Sequence, residues 1–174
     1  MMAIDREEIR GNYSKDFIES ICSKVRESGD FLGFMRQYMN DPEIQITRNA
    51  LSAVCKASGK ELATLKPLWN EMVDWALTSD CPAIKGRLLS IIEQIEMNED
   101  DLRTDLLDFC LERMQHPDEM PSTQANCMKI AFRICKFYPE LMEELKRTLE
   151  AMEISYFSPA VKNVRRRILN GKLK

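Results

Sequence analysis

Four prolines divide most of this chain into near-equal lengths. Pro42, Pro82, Pro121 and Pro159 lie 40, 39 and 38 residues apart. Each sits in a similar setting: Asp41-Pro42-Glu43-Ile44, Cys81-Pro82-Ala83-Ile84, Met120-Pro121-Ser122-Thr123 and Ser158-Pro159-Ala160-Val161. Proline fits the first turn of a helix, where its missing N–H would have no intrahelical partner. The residues after each proline have helical spacing. The second residue on is Ile44, Ile84, Thr123 or Val161, and the ninth is Leu51, Ile91, Ile130 or Ile168. In the three longer units the thirteenth is Cys55, Ile95 or Ile134. These offsets describe one helix face, repeated four times.

A second set of helices falls between the first. Ser14 is placed to cap a helix carrying Phe17, Ile18, Ile21, Cys22 and Val25, with Ser28-Gly29 as its stop. A shorter helix runs from Asp30 to Met39. The stripe Leu62, Leu65, Trp69, Met72 and Ala76 predicts a helix over 61–77, and Leu102, Leu106, Phe109, Cys110 and Met114 predict one over 100–115. Leu141, Leu145, Leu149 and Met152 predict a third over 140–152. Period-two alternation is nearly absent, so the fold class is all-α. The unit is helix A, a turn, then helix B with Pro at its start. One such pair cannot bury its own apolar stripe, whereas stacked pairs form a continuous core.

This pattern resembles the HEAT-like and armadillo-like α-solenoid repeats, which have two or three helices in ~40–47 residues. Asp41-Pro42 with Arg48, Ala50 and Leu51 looks most like the HEAT pattern of an Asp-Pro turn and a B-helix arginine; Arg87 and Arg165 fall near the equivalent place. The third unit departs, with Asn126-Cys127 there. A tetratricopeptide array, of period 34, fits less well. The resemblance implies a right-handed α-α superhelix of about four stacked antiparallel pairs. Residues 14–170 form the single repeat domain, 1–13 an N-terminal extension and 171–174 a basic tail.

Charge separates the two helix sets. The B segments (43–58, 82–97, 121–137, 158–170) hold eleven basic residues and three acidic ones, the A segments nine basic and seventeen acidic. From Ser155 to Lys174 there are six basic residues and no acid. In HEAT-like families the B helices line the concave face, so the resemblance implies a basic inner surface, which would concentrate anionic partners. The candidate binding residues are Arg48, Arg87, Lys129, Arg133, Arg165 and Arg166. Their role would be ion pairing and hydrogen bonding to carboxylates or phosphates.

Catalytic signals are weak. No G-x-S-x-G, P-loop or G-x-G-x-x-G sequence is present. The chain has one His and six Cys without a CxxC pair, so neither a metal site nor a cofactor is expected. The cysteines read as small buried thiols in a reducing cytoplasm. Trp69 and Trp75, six apart, point to different faces, one in the core and one at its boundary. No stretch is apolar enough to span a membrane, and the start lacks an apolar signal region. The expectation is therefore a non-catalytic, cytoplasmic scaffold or adaptor for a protein partner with an acidic surface. The alternative is nucleic-acid binding through phosphates, for which the bacterial alkylpurine-DNA glycosylases, built of HEAT-like repeats with a basic concave face, offer a precedent. An enzyme of unrecognised type comes third.

Overall fold

The computed structural model describes residues 4–174. Among these, every regular element is a helix. In chain order they are α1 (Arg6–Ile9), α2 (Lys15–Ser28), α3 (Phe31–Tyr38), α4 (Ile44–Val54), α5 (Gly59–Ala63), α6 (Trp69–Thr78), α7 (Pro82–Gln94), α8 (Thr104–Met114), α9 (Pro121–Cys135), α10 (Pro139–Ala151) and α11 (Pro159–Leu169). Short 3-10 turns cover Lys66–Leu68, Glu99–Asp101 and Ile154–Tyr156. The chain divides into two compact units, Met1–Ile95 and Glu96–Lys174.

Local chemistry sets the helix ends. The Ser14 hydroxyl accepts the Phe17 N–H at 3.1 Å, opening α2. Gly29 closes it at φ 73, a left-handed value that a side chain would strain, and its N–H returns to the Val25 carbonyl. Pro82, Pro121 and Pro159 are the first residues of their helices, as their repeat predicts. Pro42 is not. Asp41 accepts the Glu43 N–H at 2.8 Å, Glu43 becomes the cap, and α4 starts at Ile44. That shift moves the helix start and not the register: Leu51, the ninth residue after Pro42, is buried as the repeat predicts. Ile44, placed on the same face by the repeat, is 53% exposed at the first residue of α4, and Ile46, Ala50 and Val54 join Leu51 in the core.

The helix expected over 61–77 is broken. Ser58 and Glu61 form a reciprocal capping box that opens α5 early. Pro67 then interrupts the backbone ladder, and the chain passes through a 3-10 turn before α6. The apolar stripe survives the break: Leu62, Leu65, Trp69, Met72 and Ala76 are all buried.

In the first unit, α4 is the central helix. It packs against α1, α2, α3 and α7, while α6 packs against α7. Residues 4–11 are tied into this unit. The buried Asn49 side chain donates to the carbonyls of Ile9 at 2.8 Å and Gly11 at 3.0 Å, and the Tyr38 hydroxyl donates to the Ile4 carbonyl. Arg6 holds Asp41 through two parallel bonds, 2.9 and 2.8 Å, and Arg10 grips Glu43. Residues 1–3 of the N-terminal extension lie outside the described residues. In the second unit, α9 is central, packing against α8, α10 and α11. Its core comprises Leu106, Cys110, Met128, Ile130, Ile134, Leu149 and Val161. Both units thus contain paired helices whose B members touch: α4 with α7, and α9 with α11.

Candidate functional site: the cationic surface of the second helices

The charge asymmetry is strongest in the second unit. Along α9 lie Lys129 and Arg133, and along α11 lie Lys162, Arg165, Arg166 and Arg167; neither helix carries an acid. Their partners are acidic. The residues Asp105, Asp108 and Glu112 of α8, and Glu140, Glu143, Glu144 and Glu150 of α10, are all exposed. In the first unit the bias is weaker, with Arg48 alone on α4 and Lys85, Arg87 and Glu93 on α7.

The six candidate residues occupy different environments. Arg48 is exposed and makes no side-chain bond among the described residues. Arg87 is half-buried and stitches two helices together. Its Nε donates to the Ser52 hydroxyl on α4, and its Nη1 donates to the Ala83 carbonyl at 3.0 Å. Ser52 in turn donates to the Arg48 carbonyl at 2.7 Å, so Arg48 and Arg87 flank one shared hydroxyl. The neighbouring Cys55 thiol donates to the Arg87 carbonyl at 3.6 Å, and burial pushes that thiol up to about 11. It is neutral near pH 7 and a poor nucleophile.

Lys129 and Arg133 lie one turn apart on α9, both half-buried. Lys129 has no partner among the described residues, whereas Arg133 is engaged. Arg165 donates from Nε to the Leu149 carbonyl at 2.7 Å, near the end of α10, where that carbonyl also accepts the Met152 N–H at 3.4 Å. Arg166 is exposed and donates to the Asn163 side chain at 2.6 Å.

Arg165 and Arg166 share one further feature. Together with Lys162 they line an open groove of about 520 Å³, floored by Ile154, Pro159 and Leu169 and edged by Asn163 and Asn170. No carboxylate lines it. Lys129 and Arg133 are not part of this wall. Lys162 is not among the six sequence candidates, although its i,i+4 spacing to Arg166 is visible in the sequence. Nothing in the spacing reveals that the 3-10 turn at Ile154–Tyr156 provides the other bank. Tyr156, 72% exposed, stands on that turn.

Little else among the described residues has the makings of chemistry. No group of three His, Cys, Asp or Glu side chains is gathered to hold a metal ion. The six cysteines are free, four of them buried. His116 is exposed beyond the end of α8. Among the described residues no helix is long and apolar enough to cross a membrane.

A family model of the HEAT repeat domain matches residues 5–172. The chain belongs to the HEAT repeat family. The all-helical fold is consistent with a HEAT-repeat α-solenoid, and HEAT repeats generally serve as protein-binding scaffolds, typically without catalysis. No curated protein and no solved structure matches this HEAT repeat chain.

Proposed function

We propose that this HEAT repeat protein is a non-catalytic scaffold whose B-helix surface binds an acidic segment of a protein partner. The observation that carries the reading is the groove along α11, where Lys162, Arg165 and Arg166 surround an apolar floor without any carboxylate. Guanidinium groups bind carboxylates through paired, charge-assisted hydrogen bonds. The apolar floor of Ile154, Pro159 and Leu169 suits a hydrophobic residue flanked by Asp or Glu. Nucleic acid needs the cations but not that floor. Lys129 and Arg133 offer the same chemistry along α9 of the second unit, and Arg48 and Arg87 offer it separately within the first unit. Arg87 and Arg165 retain N–H groups beyond those bonded within the protein.

Fluorescence anisotropy tests this with two labelled probes, an Asp/Glu-rich peptide containing one Leu or Phe, and a random-sequence DNA duplex. The peptide is expected to bind more tightly, and Lys162→Glu with Arg166→Glu to weaken it at least ~10-fold. Preference for the duplex, with affinity falling steeply and linearly in log salt, would transfer the site to phosphate binding. Absence of binding to both at low salt would remove the reading.

A further inference from the structure

A second groove lies within the first unit, and its character is opposite. It encloses about 310 Å³ between the turn that enters α4 and the turn that joins α6 to α7. Pro42, Ile44, Trp75 and Ile84 supply its apolar wall, and Asp41 and Asp80 its charge; no cation lines it. Three features of this wall are unusual for a surface that faces only water.

The first is Ile44, 53% exposed at the opening residue of α4. At the first residue of α4 it stands clear of the core and lines the groove. The second is Trp75. Its Nε1–H is shielded from solvent yet has no acceptor among the described residues. A donor in that state costs about 1–3 kcal/mol relative to a paired one. The third is the division of labour between the two aspartates. Asp41 is committed: Arg6 holds it bidentately, its side chain is only 7% exposed, and that guanidinium lowers its carboxyl below the ordinary range. Asp80 is exposed and has no partner among the described residues. The groove therefore presents one free carboxylate beside an apolar trough.

We infer that this groove docks an extended segment of a partner protein that carries an apolar side chain next to a Lys or Arg. The apolar side chain packs on Ile44, Pro42 and Trp75. The cation pairs with Asp80. A backbone carbonyl of the segment accepts the Trp75 indole N–H after a small rotation of the ring. The volume is at the lower end of the range for ligand pockets (~300–1,000 Å³), enough for one anchoring side chain and its flanking backbone. The cation-free wall selects against the acidic segments proposed for the α11 groove, so the two sites read different sequences.

The test uses the full chain labelled with 15N, with the Trp75 indole resonance assigned through Trp75→Phe. The probes are synthetic peptides of about eight residues, each with one Leu, Phe or Trp between two Lys, and matched peptides with Glu in place of Lys. The Lys peptides are expected to shift the Trp75 indole proton downfield in a saturable way, and the Glu peptides to leave it in place. Ile44→Glu is expected to weaken binding at least ~10-fold, and Asp80→Arg by about 3–10-fold. Both positions are exposed, so both variants should melt as the wild type does. No saturable shift with any Lys peptide, equal response to the Glu set, or affinity indifferent to Ile44→Glu and Asp80→Arg would overturn the proposal.

Discussion

Single residues show how this chain divides its polar groups between holding the fold and facing outward. Arg165 and Arg166 are adjacent, line the same groove and are indistinguishable in sequence. Only Arg165 reaches a carbonyl of another helix. Arg165→Met should therefore cost about 1–2 kcal/mol of stability, and Arg166→Met less than ~0.5 kcal/mol, in urea melts of the two variants. Equal losses would mean that the Leu149 contact contributes nothing. Glu61 makes a different point. The Arg26 guanidinium, 2.9 Å away, and the Ser58 N–H hold its carboxyl down at about 2, from an ordinary 4.5. A folded pKa below the unfolded one adds stability that is fully present above about 4.5 and is lost as pH falls toward 2. Thermal melts of Glu61→Gln should accordingly fall below wild type at pH 7 and converge with it near pH 2. A gap unchanged across that window would contradict the assignment. Asn49 is a third case, buried and donating to two carbonyls of the segment before α2. Asn49→Leu removes both bonds, leaving the Ile9 carbonyl only the Gly11 N–H and the Gly11 carbonyl only the Gln45 side chain, and should cost about 1–3 kcal/mol in the same urea assay.

Among the helices themselves, the sequence conveys identity well and edges unevenly. Ser14, Gly29 and the prolines at 82, 121 and 159 act locally, through one hydrogen bond or one backbone angle, and local signals survive in a single chain. Pro42 misleads because a distant residue changes its turn: Arg6 pins Asp41 from 35 positions away. Nothing near Pro42 records that contact. Pro67 is the converse, since its breaking effect is local, but the apolar stripe runs through it undisturbed and hides it. The proposed binding surface is legible as charge on the B helices. Its shape is not, because the α11 groove depends on where the 3-10 turn at Ile154–Tyr156 comes to rest. Likewise, nothing in the spacing separates Arg87, which bridges two helices, from Arg48, which does not.

Taken as a molecule, the chain organises each of its units round one B helix. α4 packs on four helices of its unit and α9 on three. Ile46, Ala50, Leu51 and Val54 of α4, like Cys127, Ile130, Ala131 and Ile134 of α9, are buried. Helices with more buried apolar contact open less readily, so amide hydrogen exchange in native buffer should be slowest in α4 and α9. In α10 only Leu145 and Leu149 are buried, and its amides should exchange sooner. Protection in α10 equal to that in α9 would show that the second unit opens only as a whole. Of the cations on these two central helices, Arg48 is exposed, and Lys129 and Arg133 are half-buried.

A map of where an acidic peptide sits puts the cationic B-helix surface to its sharpest test. Methyl and amide shifts of the labelled chain would be followed during titration with an Asp/Glu-rich peptide containing one Leu. Binding at that surface predicts saturable changes at Leu169, Ile154 and the amides of α11 and α9, with little change along α8 and α10. Changes centred on α8 or α10, or none at low salt, would contradict it.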